Sequence, residues 1–498
     1  MAERLGMVID GRRVTAADDR WLPVRNPSTG QVLAEVAAGS GPEIDMAVAA
    51  AAAEARDGAW SRFSPIERSK VLNRIADRIE DSIAEISELE ARNNGRPVAE
   101  TRAQIGTVPD FFRYNAALAL SLRGETVPLG DGYFQYLHHV PIGVAAVMTP
   151  YNHPMLIAAR GVAPALAAGN AVVLKPSELT PLTSLMLADL AFDAGLPPGA
   201  LHVVNGNGPE AGAALVAHPG VARVEFTGGT ETGRRIVTTV AERFARSTAE
   251  LGGKSPVLVF EDSDLADAAA GIAFAGFVAS GQSCIAGARI IVQRERVEEL
   301  TARLVKIVDG IRLGDPLDRA TQMGPVISAA ARERILAHVD RAVGDGATVL
   351  TGGKAARMDG ELSGGFFLEP TVLGGVTEDM AICQDEVFGP VVSIEAFDDE
   401  ADAVRRANAT QYGLGAAVWT RDVGRAHRVS QAVRAGMVWV NDHHRLSPAM
   451  PWGGFKDSGL GKQAGEESFR GFLDTQSVII RTAPGAPQWF TTGDDRLN

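Results

Sequence analysis

Two cysteines, Cys284 and Cys383, in 498 residues are too few for a disulfide framework, and they lack the paired spacing of a zinc site. Their scarcity suits a reducing cytoplasm, and no metal site is read from the chain. No stretch of about 18 uninterrupted apolar residues occurs. The N-terminal MAERLGMVIDGRRV carries charges where a signal peptide needs an apolar segment, so neither a membrane span nor export is expected. Dense runs of Lys and Arg are missing as well. With a net charge of -13, this disfavours nucleic acid and anionic membrane surfaces and leaves small molecules as the expected partners. Internal repeats and low-complexity linkers are absent too, apart from an Ala-rich segment at 47–55.

What is present is an ordinary globular composition, 46% apolar and 22% charged, in a chain long enough for two or three domains with cores of their own. Residues 43–56 and 65–94 read as helices, with apolar residues every three or four positions and a stop at Gly95. From 142 the pattern changes to short β-branched runs alternating with helical segments: VAAVMTP, a helix at 154–168, NAVVLKPS, a helix at 181–194, ALHVVNG, a helix near 209–217, and VARVEFTGG. That alternation predicts parallel βαβ units in a doubly wound sheet. A second such region runs from PVLVF at 256 through helices at 264–280 and 295–309 to AAVWT and MVWVN near 440. ETVPLGDGYFQYLHHVPIG resembles two strands and TQSVIIRT a third. Paired into a small projecting sheet, they would leave open edges that need a partner.

Two glycine-rich turns compete for a phosphate role. GNGPEAG, Gly206–Gly212, follows a strand and opens a helix, yet its spacing departs by one residue from a dinucleotide fingerprint, and FTGG stands where the usual acidic residue belongs. EFTGGTETGRRI is the better candidate. Gly228 and Gly229 end a strand, and a helix opening near a capping Thr230 would aim free N–H groups and its dipole at one spot. Taken alone, a plain capped helix explains that turn equally well.

The segment GQSCIAG, 281–287, sets a cysteine among small and polar residues instead of in an apolar core, as a reactive thiol requires. It belongs to an ordered series: TPYNHPM at 149–155, KPSELTP at 175–181, EFTGG, ELGGKSP at 250–256, GQSC, EVFGPV at 386–391 and PWGGFKDSGLG at 451–461. From about residue 20 to about 480 this series resembles the NAD(P)-dependent aldehyde dehydrogenase superfamily. The resemblance implies an α/β fold with two doubly wound parallel domains and a small oligomerisation sheet. Its domains would be 1–121 with 142–252 for the nucleotide, 253–452 for catalysis, and 122–141 with 470–498 for assembly into a homodimer or homotetramer.

The resemblance further implies Cys284 as the nucleophile that turns an aldehyde carbon into a hydride donor, Asn152 as the oxyanion donor, and Glu250 as the base that hydrolyses the resulting thioester. Without it, Asn152 would read as a turn residue before Pro154 and Glu250 as a solvated carboxylate. Gly252 and Gly253 are expected to give the backbone after Glu250 room to bend. Implied cofactor positions are Thr149, Pro150, Lys175, Ser177, Glu178, Phe226, Thr227, Gly228, Gly229, Thr232, Leu251, Gly252, Glu386 and Phe388. Gly229 departs from the Ser of many relatives. Glu178 could hold both ribose hydroxyls and would repel a 2′-phosphate, which favours NAD while leaving NADP open. Lys254 is read as lying behind the site and Cys383 as structural.

Substrate positions read from the motifs are His153, Arg160, Ile285 and Trp452. Many relatives have Trp where Arg160 stands, whereas the succinate-semialdehyde branch has Arg. The alternatives are therefore a carboxylate-bearing semialdehyde gripped by Arg160, an aromatic aldehyde among His153, Trp452 and Phe455, or an Arg160 turned outward to the surface. A coenzyme A-acylating enzyme is a further alternative that Glu250 disfavours. A non-catalytic binding protein or a cysteine hydrolase is disfavoured by the joint presence of Cys284, Asn152 and Glu250.

Overall fold

The computed structural model describes residues 2–485 and Phe490. The runs VAAVM, AVVLK, PVLV and GAAVW are buried along their whole length, because parallel strands covered by helices on both faces have no solvent side. They form the centres of two sheets. In the first, Arg246–Glu250, Arg223–Thr227, Val144–Met148, Ala171–Lys175 and Leu201–Val203 lie side by side in parallel. The chain builds outward from Val144 to Leu201 and then returns to add Arg223 on the other side of Val144. The loops after Met148 and Thr227 therefore open at the point where the winding reverses, where doubly wound sheets leave a crevice.

The second sheet orders Thr348–Thr351, Thr371–Gly374, Val391–Phe397, Arg289–Gln293, Pro256–Val259, Gly415–Trp419 and Met437–Val440, all parallel except the first. Only the short link 251–255 joins Glu250, at the end of a first-sheet strand, to Pro256, at the start of a second-sheet strand. The C-terminal edge of one sheet thus meets the N-terminal edge of the other. Behind it, the helix Pro154–Ala167 is buried at every position, with Pro154 at its first turn. The single helix expected over 65–94 is two: Pro65–Asp81, which begins with a Ser64–Glu67 capping box, and Ile83–Asn94, separated at Ser82; the second stops at left-handed Gly95, as the sequence pattern predicts.

Three further expectations need correction. The helix expected over 264–280 ends at Phe277, because Ala279, Ser280 and Gly281 turn left-handed. Gly229, not Thr230, caps the helix Thr230–Ala241, and no side chain occupies the cap. The stretch 124–142 holds one strand, Tyr133–Pro141, paired with Leu473–Arg481, and only an isolated bridge at Thr126. Pro128 removes the N–H that a second strand would need. The N-terminal strands were not anticipated. Met7–Ile9 and Arg12–Val14 form a hairpin on the first sheet, although left-handed Asp10 and Gly11 are the turn signal for it. Glu3–Leu5, Val32–Ala37 and Trp21–Arg25 make a separate small sheet. Within the expected assembly segment, 486–489 and 491–498 lie outside the described residues.

The second sheet contains a fully buried ion pair across neighbouring strands. Arg289 engages Glu395 through Nε and through Nη2 at 3.1 Å, and its Nη1 donates to the Arg406 carbonyl at 2.8 Å. Removing Arg289 would leave the buried Glu395 with only its longer contact to Arg406 Nη1 at 3.5 Å. Arg289→Met is expected to destabilise the protein by about 3–5 kcal/mol, read from the urea unfolding midpoint.

Candidate active site

Cys284 lies partly exposed in the loop between the helix Leu265–Phe277 and the strand Arg289–Gln293, at the N-terminal edge of the second sheet. Asn152 comes from the loop after Met148 and Glu250 from the last position of Arg246–Glu250, so the facing edges of the two sheets bring all three together. Asn152 Nδ2 donates to the Gln282 carbonyl at 2.9 Å, which leaves its second amide proton and its Oδ1 free. Both Glu250 oxygens are buried with no close hydrogen-bond partner, and the Trp452 indole N–H is the donor that faces them.

Glycines bring the two sheets this close. A Cβ on Gly253 would lie 2.5 Å from the Cys284 carbonyl oxygen, and one on Gly252 would collide with the Glu386 carboxylate. These glycines therefore provide clearance, and neither is in the left-handed region. Glu386 is fixed there by the Gly253 N–H at 3.0 Å.

Desolvation dominates the electrostatics. Burial pushes the Cys284 thiol up to about 12, with Arg160 opposing and Glu386 and Glu250 adding to it. Burial also lifts Glu250 well above the usual carboxylate range, against the pull of Arg160 and Lys462. Glu386 is raised to about 7 and Lys254 lowered to about 8, both chiefly by burial. Burial thus disfavours the charged forms of thiol and carboxyl alike, with Arg160 opposing it at both groups.

Arg160 is buried, which removes the surface alternative. Its guanidinium lies 5.0 Å from the centre of the Trp452 ring and faces Glu250, Cys284 and Glu225. Glu225 was not anticipated, although a carboxylate within VARVEFTGG, a strand buried on both faces, is the anomaly that could have disclosed it. Its oxygens have no hydrogen-bond partner, and burial raises it to about 7. Ile285 is buried beside Cys284, and its carbonyl accepts from His443 Nε2 at 2.6 Å. From His443 a ladder of rings continues: Trp439 at 4.8 Å on one side, and on the other His444 at 4.7 Å, itself 5.5 Å from Phe274. His153 accompanies it, 3.1 Å from Gln104. Burial lowers His443 to about 3, His444 to about 4 and His153 well below its ordinary value, so all three are neutral.

The crevice of the first sheet can accept a nucleotide. Around Gly229 the space is open, and the uncapped first turn of its helix leaves N–H groups free to meet an anion. Gly228 N–H is tied to the Glu250 carbonyl at 3.0 Å, and the Phe226 ring packs against Gly228. Thr149 N–H bonds the Lys175 carbonyl at 3.1 Å while its hydroxyl is unpartnered, and half-buried Pro150 follows in the same loop. Lys175 Nζ bonds the Pro176 carbonyl at 2.9 Å, with Ser177 and Glu178 half-buried in the adjoining turn. Thr232 is exposed on the helix after Gly229, and Leu251 is buried against Gly233. Thr227 is spent on Gln463, at 3.1 Å. Phe388 takes a left-handed conformation and meets Tyr151 edge to face at 5.8 Å. At the competing turn, Gly206 packs tightly against Gly39, and the Asn207 side chain already accepts the Glu210 N–H.

Comparison with known proteins agrees with this geometry. Residues 14–478 match the model of the aldehyde dehydrogenase family. Phenylacetaldehyde dehydrogenase of Pseudomonas fluorescens is 41% identical over 482 residues, 95% of each chain. Among solved structures, betaine aldehyde dehydrogenase of Staphylococcus aureus in complex with NAD+ superposes with a TM-score of 0.96 at 36% identity, over 98% of this chain and 97% of that one. A variant of an aldehyde dehydrogenase from Bacillus cereus gives 0.94 at 37% identity, over 97% of each chain. With the motifs in one order and the fold matched along nearly its whole length, the chain belongs to the aldehyde dehydrogenase family and is an oxidoreductase acting on aldehydes.

Proposed function

We propose that the protein oxidises an aromatic aldehyde to the carboxylic acid with NAD, through a thioester on Cys284. The observation that carries this reading is the convergence on the half-buried Cys284 thiol of an amide with a spare proton and a carboxyl without a close hydrogen-bond partner. Lys175, Ser177 and Glu178 would hold the adenosine ribose, Gly228 and Gly229 the pyrophosphate, and Glu386 and Phe388 the nicotinamide end, with Thr149, Pro150 and Leu251 lining the path. Bound NAD supplies the hydride acceptor. Cys284 loses its proton to a base and adds to the carbonyl carbon, while Asn152 Nδ2 and the Cys284 backbone N–H stabilise the oxyanion. Once the carbon has given up its hydride, Glu250 takes a proton from water, the hydroxide attacks the thioester, and the thiol is regenerated.

The ring ladder from Trp439 to Phe274 and the neutral imidazoles support an uncharged, aromatic substrate. Arg160 faces two carboxylates of the protein itself, which compete with a substrate carboxylate for its charge, and it would repel a cationic aldehyde. A semialdehyde is the second reading, because Arg160 is buried near Cys284. The exposed Phe134, Ile479 and Ile480 on an unpaired two-stranded ribbon support a homodimer or homotetramer, with 122–141 and 470–498 as assembly segments around nucleotide (1–121, 142–252) and catalytic (253–452) domains. Two free cysteines suit a reducing cytoplasm, and no described helix is long and apolar enough to cross a membrane.

Cys284→Ala is expected to abolish turnover while NAD still binds, measured by NADH formation and by nucleotide titration. Glu250→Gln should give one equivalent of NADH and an accumulating thioester. Because Glu250 must be ionised to act and burial raises its pKa, wild-type thioester hydrolysis should speed up as pH rises through a value above the ordinary carboxylate range. The Gln variant should lack that limb.

Glu178→Ala should raise the specificity constant for NADP relative to NAD, and a wild type that prefers NADP would refute the ribose role. Arg160→Leu should affect an uncharged aromatic aldehyde and its carboxylated analogue alike. A selective loss of about 1.5–3 kcal/mol on the charged one would favour the semialdehyde instead.

A further inference from the structure

Ahead of Cys284 the backbone takes an unfavourable course. Ala279 and Ser280 have φ of 55° and 54°, and Gly281 follows at 68°. Two consecutive side-chain-bearing residues in the left-handed region persist only where their surroundings over-determine them. The helix before them has ended, so the Ala279 N–H must find its partner elsewhere. It donates to Glu100 Oε2 at 3.1 Å, from the helix Val98–Ile105. Ser280 Oγ donates to the Gly324 carbonyl at 2.9 Å, and Gln282 Oε1 accepts from the Ile327 N–H at 3.0 Å.

The other oxygen of Glu100 is held by Arg96 Nε at 2.7 Å. Arg96 is buried, and its Nη1 reaches Gln104 Oε1 at 2.7 Å, Glu90 Oε1 at 3.3 Å and the Asn152 carbonyl at 3.4 Å. Asn94 Nδ2 donates to that same carbonyl at 3.0 Å, and Glu90 Oε2 accepts the Met155 N–H at 3.2 Å. One ion pair therefore grips both loops of the site: its Glu end takes the turn that leads to Cys284, and its Arg end takes the backbone of Asn152.

We propose that Glu100, oriented by Arg96, is a positioning residue that sets the placement of the Cys284 sulfur relative to the Asn152 amide. The proposal rests on the reading of Cys284 as nucleophile and Asn152 as oxyanion donor. Neither Glu100 nor Arg96 touches the thiol or the Asn152 amide, so they act through backbone alone. The contact at Ala279 needs an acceptor at the reach of a Glu side chain, and the charge serves to hold that acceptor on Arg96.

The test uses the full-length enzyme and reads the pre-steady-state rate of NADH formation in the first turnover, with NAD affinity measured on the same preparation. Glu100→Ala is expected to slow the first turnover by about 100-fold, as a displacement of roughly 1 Å between reacting groups does, while the dissociation constant for NAD stays within about twofold. Glu100→Gln keeps an acceptor at the same reach and is expected to remain within a few-fold of the wild type. Should the Ala variant fail to fold, Glu100→Asp keeps the charge and falls one methylene short of Ala279. Its first turnover is then expected to slow by about tenfold or more on the same principle.

A first turnover that is unchanged in Ala or Asp overturns the proposal. So does a Gln variant as slow as the Ala or Asp variant, or a loss of NAD affinity that matches the loss of rate. Residual turnover in Cys284→Ala would instead refute the reading beneath it, and that result is independent of the Glu100 series.

Discussion

At residue 253 there is room for a hydrogen and nothing more. A Cβ there would stand 2.5 Å from the Cys284 carbonyl oxygen, and one at 252 would displace the Glu386 carboxylate. This clearance lets the C-terminal edge of the first sheet close on the N-terminal edge of the second. A side chain at 253 would push the thiol loop away from the strand end that carries Glu250. The closeness has an electrostatic consequence, since groups packed between two sheets are stripped of water.

That loss of water explains the charge states of the cleft. Cys284, Glu250, Glu225 and Glu386 are all displaced toward their neutral forms by burial, and Lys254 likewise. Arg160, buried and facing the thiol and both Glu225 and Glu250, opposes these shifts with its guanidinium charge. Carboxyl groups of raised basicity thus stand beside a thiol whose own ionisation burial disfavours.

Much of this was legible in the residues. The short apolar runs from Val144 and from Pro256 named both parallel sheets, since a strand buried on two faces cannot alternate. Gly95 marked a helix end because left-handed backbone is cheap only without a Cβ. The three-residue strands at Met7 and Arg12 were too short for a period to show. The left-handed turn at Ala279 looked like more helix because Leu265–Phe277 is apolar up to its end. Glu225 carries a signal, a carboxylate inside an apolar strand run, whereas the Arg96–Glu100 pair carries none, because on a polar helix a buried charge looks like a surface one until its neighbours are known.

The sequence by itself determined the family, the class of chemistry, the positions of thiol, amide and carboxyl along the chain, and the alternation that folds into two sheets. These depend on residue type and local spacing, which the chain carries directly. The tertiary structure alone decided that the site uses the starting edge of the second sheet, and that Gly252 and Gly253 act by clearance. It alone turned Arg160 inward toward Glu225 and Glu250, and let one ion pair near residue 100 hold loops that begin at 152 and 279. These are contacts between segments distant in sequence, fixed by the packing of two cores against each other, and no local pattern records which strand edge will face which.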